Sequence, residues 1–218
     1  MPDKVLFVGN SFTYYNNSLH SHYRKLTFAS GLFTAENSRA RSKTISGGRL
    51  PEHEGGFEHV LGTDDWDVVV LQGHSLGPIG EDTAEPFRRT ARKFARIARA
   101  QGTRPVFFMT WAYTDRPEMT AQLDEAYTGI GRELDAMVVP VGLAFASATT
   151  ERPELDLRTT DARHPTTAGT YLAACTFFAA LLGQSPEGLD YDAGLGRETA
   201  LYLQRVAWRT VETYAKRR

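Results

Sequence analysis

The sequence predicts an α/β fold in three layers: a mainly parallel, doubly wound sheet with helices on both faces. Short apolar runs recur at "VLFVG" (5–9), "DVVVLQ" (67–72), "PVFFMTW" (105–111) and "AMVVPVG" (136–142). Runs that are apolar at nearly every position suit strands buried on both faces, as in parallel sheets. Helix-period patterns separate them, and strands alternating with helices give a parallel sheet wound by right-handed crossovers. At 218 residues the chain fits one domain, spanning 1–218, with a sizeable core.

The elements follow in order. After the first strand, residues 16–30 place Leu19, Tyr23, Leu26 and Ala29 on one helical face. The stretch 31–66 is less regular, and it reads as a strand near "RARSKTI" followed by the glycine-rich loop "SGGRLPEHEGG". The strand at 67–72 runs into the turn-rich "GHSLGPIGEDTAEP". Residues 85–100 align Phe87, Ala91, Phe94, Ile97 and Ala98, and 117–136 align Leu123, Tyr127, Ile130 and Leu134, so both predict amphipathic helices. Residues 150–164, "TERPELDLRTTDARH", are charged and aperiodic and predict a surface loop. A helix is expected from Pro165 through "TTAGTYLAACTFFAALL", and a last one over 197–216 carries Leu201, Val206 and Val211. There is no internal repeat, low-complexity tract or linker.

Charge narrows the function classes. With 25 basic and 26 acidic residues the net charge is -1, which gives no broad positive field for nucleic acid or an anionic membrane. The single cysteine, Cys175, excludes an internal disulfide, and its apolar setting reads as a small buried hydrophobe. The first residues do not have the form of a signal peptide, so a cytoplasmic location is expected. The apolar stretch around Cys175 is shorter than the ~20 residues that span a bilayer.

In open α/β sheets ligands bind beyond the carboxyl ends of the strands. That directs attention to Gly9 to Thr13, Gln72 to Ser75, Trp111 to Tyr113, and the loop carrying Asp161 and His164. "GHSLG" at 73–77 has the G-x-S-x-G form of a nucleophile elbow. An elbow needs a helix directly after the turn, whereas two prolines and two glycines follow Ser75 before any helical pattern. Ser11 instead closes the first strand near a helix start, where backbone N–H groups favour developing negative charge. For the base, "DARHP" places Asp161 three residues ahead of His164, within reach of its Nδ1. D-x-x-H alone fits equally a helix cap beside an ordinary surface histidine. His20 and His22 point to different faces of one helix, and His53 and His59 have no partners at metal-ligand spacing. His74 adjoins Ser75 too closely to serve as its base.

Taken together, "GNSFT", a glycine in "SGGRL", the polar residue closing "VVLQG", and "DARHP" resemble the SGNH (GDSL-type) hydrolase superfamily, in the correct order across nearly the whole chain. The resemblance implies a flavodoxin-like α/β/α sandwich and a serine esterase with Ser11 as nucleophile, His164 as base and Asp161 as the acid. It also implies an oxyanion hole made by Ser11, Gly48 (with Gly47 as the adjacent alternative) and a third-block asparagine, whose place falls to Gln72. Two departures stand out: Asn10 replaces the usual aspartate, and Gln72 is one methylene longer than asparagine. Under this resemblance Ser75 is a rim or structural residue.

The implied chemistry is hydrolysis of a short-chain, acetyl-type ester, with no metal or organic cofactor. Tyr14, Tyr15, Trp111 and Tyr113 are expected near the strand ends, where aromatic faces suit an acylated sugar. Two alternatives remain at this level: a lipase-like enzyme using Ser75, and a non-catalytic ligand-binding relative.

Overall fold

The computed structural model describes residues 1–217. Five strands, β1 (Lys4–Gly9), β2 (Arg39–Thr44), β3 (Val68–Gln72), β4 (Arg104–Phe108) and β5 (Met137–Val139), form one sheet in the order β2-β1-β3-β4-β5. Every pairing is parallel. The chain winds outward from β1 to β2, then returns to add β3, β4 and β5 on the other side. The reversal falls between β1 and β3, and a crevice opens at such a switch point beyond the carboxyl ends of the strands.

Helices α1 (Ser11–Tyr14), α2 (Leu19–Ala29), α3 (Phe57–Leu61), α4 (Ala84–Ala100), α5 (Met119–Glu133), α6 (Val141–Glu151), α7 (Thr167–Leu182) and α8 (Arg197–Ala215) supply the outer layers. On one face Phe7 of β1 meets Tyr23 of α2 and Phe177 of α7 edge-on, and Phe108 of β4 meets the same Phe177 at 5.1 Å. In the opposite layer Phe57 of α3 stacks on Phe94 of α4 at 3.8 Å, and Phe87 of α4 meets Tyr127 of α5. Helix α7 packs among α2, α6 and α8 and is buried nearly all round, which is why its sequence is apolar without a polar stripe. Cys175 lies there fully buried, and burial pushes its thiol far above the usual range.

Several expectations are corrected. The loop expected over 46–56 contains a 3₁₀ helix, Leu50–Gly56, and α3 follows at once. The strand expected over 105–111 stops at Phe108, where its partner β5 also ends at Val139, and Trp111 beyond it is used in an aromatic stack. The strand expected over 136–142 stops at Val139, before Pro140, which has no N–H for a ladder. Helix α6 then begins at Val141; its "VGLAFA" is apolar on all sides and gives no helical stripe to read. Pro165 stands outside α7: it bridges Arg158, and Thr166 caps the helix by accepting from the Gly169 N–H at 3.2 Å. No helix among the described residues is long and apolar enough to cross a membrane.

Candidate active site

Strand β1 delivers Ser11 to the switch point. Asn10 is the N-cap of α1, its Oδ1 accepting from the Phe12 N–H at 3.1 Å, and Ser11 is the first helical residue. Its own N–H is one of the first-turn donors that a helix leaves unpaired, and it has no partner among the described residues. Gly9 permits this placement. A Cβ there would lie 2.3 Å from Gln72 Oε1 and 2.6 Å from Thr13 Oγ1.

The second half of the site comes from the loop before α7. Ala162 takes a left-handed φ of 66°, which turns the chain so that Asp161 faces His164. Asp161 Oδ2 accepts from His164 Nδ1 at 2.5 Å, and His164 Nε2 stands 2.9 Å from Ser11 Oγ. Asp161 Oδ1 meanwhile accepts from the Thr159 hydroxyl and from the N–H groups of Arg163 and His164. Desolvation raises the Asp161 carboxyl, but these bonds, led by the one from the His164 ring, outweigh it and hold Asp161 well below the usual carboxylate range. The imidazole is held on one face by Tyr15, which stacks on it at 4.4 Å, while Phe12 meets it edge-on.

Asn16 ties the two halves together. Its Nδ2 donates to the Pro165 carbonyl at 2.8 Å and to Thr170 Oγ1 at 2.9 Å. Its own carbonyl accepts from His22 Nε2 at 2.6 Å, which leaves His22 Nδ1 to accept from the Tyr191 hydroxyl. Burial pulls His22 below its ordinary value, consistent with that neutral tautomer.

A cavity of about 470 Å³ opens over Ser11 and His164. Tyr14 and Tyr113 line it, as does Tyr15, whose stacking on His164 had no sequence signal beyond its place after Tyr14. Ser75 also reaches the wall, but its hydroxyl is bonded to that of Tyr113 and to no histidine among the described residues. The chain after it forms turns, and α4 begins only at Ala84. Half-buried His74 lines the cavity too; burial first, then Arg49, pulls it below its ordinary value.

Three expected roles do not match the geometry. Trp111 is fully buried between Phe12 (4.3 Å) and Phe145 (4.2 Å) and donates to the Arg163 carbonyl, so it props the histidine loop and reaches no ligand. Gly48 spends its N–H on the Ile45 carbonyl, closing a turn. Its neighbour Gly47, at φ 63°, lines the cavity, and its N–H has no partner among the described residues. Gln72 is 1% exposed and donates both amide hydrogens inward, to Asn10 Oδ1 at 2.6 Å and the Gly73 carbonyl at 3.0 Å.

The two departures from the SGNH pattern therefore face each other. Gln72 Oε1 accepts from the Asn10 N–H and the Thr13 hydroxyl, while Asn10 Nδ2 donates to the Gly48 carbonyl. This buried network joins the ends of β1 and β3 to the loop after β2, and it is neutral, with every amide group satisfied. Among the described residues no group of three or more His, Cys, Asp or Glu is placed to hold a metal ion.

No protein-family model matches the chain, and no curated protein sequence does. Solved structures do. A DUF4886 family protein from Bacteroides uniformis superposes with TM-score 0.76 at 20% identity, covering 96% of this chain and 94% of that one. A protein from Slackia heliotrinireducens designated an SGNH hydrolase gives 0.68 at 24%, over 82% and 98%. An acetyl xylan esterase gives 0.68 at 16%, over 82% and 99%. Likeness at these identities is one of architecture, and by that measure the chain has the fold of the SGNH, or GDSL-type, hydrolases.

Proposed function

We propose that this protein is a serine esterase that hydrolyses a short-chain, acetyl-type ester. The observation that carries the reading is the continuous relay from Asp161 through His164 to Ser11 Oγ, with contacts of 2.5 and 2.9 Å, beneath an open cavity. Ser11 Oγ attacks the ester carbonyl as His164 Nε2 takes its proton, and Asp161 stabilises the imidazolium that forms. The N–H groups of Ser11 and Gly47 hold the oxyanion, Gly47 taking the role first expected of Gly48. As the tetrahedral intermediate collapses, His164 gives its proton to the departing alcohol. Water, deprotonated by His164, then attacks the acyl-enzyme, and His164 returns that proton to Ser11 Oγ as the acid departs.

The acetyl group and a carbohydrate carrier are favoured by two features: the tyrosines on the wall, and the acetyl xylan esterases among the structural neighbours. The test is intact-mass labelling with a fluorophosphonate alongside hydrolysis of p-nitrophenyl acetate, for wild type, Ser11→Ala and Ser75→Ala. One adduct in wild type and Ser75→Ala but none in Ser11→Ala is the expected result, with turnover in Ser11→Ala lowered at least about 10³-fold. Unlabelled, inactive wild type would instead make the chain a binding relative.

A further inference from the structure

Resting on the esterase reading, we propose that the ester taken by this site carries an anionic group, carboxylate or phosphate, bound by Arg163 at the cavity mouth. Arg163 lies on the cavity wall directly before His164 in sequence. Many exposed arginines of this surface, among them Arg39, Arg92, Arg205, Arg209 and Arg217, are paired with carboxylates. The Arg163 guanidinium has no carboxylate within ion-pair range among the described residues, and its one contact is the face of Tyr113, 4.9 Å from the ring centroid.

An unpaired surface arginine alone decides nothing, because water solvates it well. What distinguishes Arg163 is that its position is fixed. Its N–H donates to Asp161 Oδ1 at 2.9 Å, its carbonyl accepts from Trp111 Nε1 at 2.9 Å, and the preceding Ala162 carbonyl accepts from the Thr114 N–H. A planar fork, braced on an aromatic face and anchored at its backbone, has already lost much of the freedom that binding an anion would otherwise cost. The other charges on the wall are Arg116, already paired with Glu118 at 3.1 Å, and exposed Asp115, the opposing charge. Arg163 is thus the cation left to a substrate, and Asp115 sets how strongly an anion is drawn in.

The experiment compares 4-acetoxybenzoate and 4-acetoxyphenyl phosphate with uncharged methyl 4-acetoxybenzoate, in wild type, Arg163→Gln, Arg163→Lys and Asp115→Asn. The readout is the ratio of kcat/KM for each anionic ester to that for the neutral one, which cancels any general damage. In wild type at least one ratio should exceed about tenfold; Arg163→Gln should collapse it, Arg163→Lys restore part of it, and Asp115→Asn raise it. The larger ratio names the anion. A wild-type ratio near one, or one unchanged in Arg163→Gln, overturns the proposal while leaving the esterase reading intact. Should no ester turn over and no phosphonate label appear, the esterase reading falls by itself. Calorimetric binding of 4-hydroxybenzoate and 4-hydroxyphenyl phosphate against methyl 4-hydroxybenzoate then decides: preference for an anion, lost in Arg163→Gln, supports the Arg163 site, and no preference refutes it.

Discussion

Asp161 uses both oxygens within one short loop, Oδ2 on the His164 ring and Oδ1 on three donors around it. Replacing it with asparagine removes the charge that favours the correct tautomer, so kcat should fall by about 10⁴-fold while the loop keeps its shape. The sign of its pH effect follows from its depressed carboxyl. Its contribution to folding is fully present above the unfolded carboxylate value of about 3.9 and is lost as pH falls through the lower folded value. The stability difference between wild type and Asp161→Asn should accordingly stay level above about pH 5 and shrink below about pH 4 in acid unfolding curves. Gln72 invites a different expectation. Gln72→Leu leaves Asn10 Oδ1 and the Thr13 hydroxyl without their buried partner, and stability should drop by about 1–3 kcal/mol in denaturant unfolding. A variant with unaltered stability and kcat down by about 10²-fold would return Gln72 to the oxyanion hole.

Among the elements, the turn between α1 and α2 is held in an unusual conformation. Asn16, Asn17 and Ser18 all have left-handed φ values, 52°, 65° and 68°, a conformation that asparagine tolerates better than most residues. The turn is held there by Asn16, which reaches across to Pro165 and Thr170, and by Ser18, whose hydroxyl donates to the Thr13 carbonyl. Those bonds make Asn16 the expected positioning residue for the distance between Ser11 and His164 under the proposed mechanism. Asn16→Asp tolerates the same backbone but removes both donors, and kcat should fall by about 10- to 100-fold with KM little changed. A lowered Tm with intact kcat would leave Asn16 a purely structural role. None of this was legible in "YYNNS", since left-handed geometry and a bond to a residue 149 positions away leave no periodic trace.

At the scale of the whole molecule, the parallel sheet was legible because the central strands β1 and β3 are buried on both faces and largely apolar, whereas the edge strand β2, "RARSKT", is polar and mostly not buried and gave only a weak signal. Ser11, His164 and Asp161 were legible as types at the expected strand and loop ends. The errors arose where one residue serves another's packing. Trp111 looked like a platform because nothing local says that Phe12 and Phe145 enclose it, and Gly48 was separated from Gly47 only by the turn to Ile45. Arg163 sat unremarked inside "DARHP" because an arginine's lack of a partner is a three-dimensional property.

The separation of Ser11 from His164 by 153 positions has a consequence for the life of the chain. Every strand pairing is parallel and therefore non-local, so assembly is slow relative to helix formation. On refolding from denaturant, phosphonate labelling of Ser11 should lag behind recovery of the helical signal; simultaneous recovery would contradict this. During synthesis Ser11 emerges 153 positions ahead of His164, so under the proposed mechanism it stays unreactive until that histidine has been translated and docked. Reactivity thus reports completion, and a chain abandoned before residue 164 carries a silent serine.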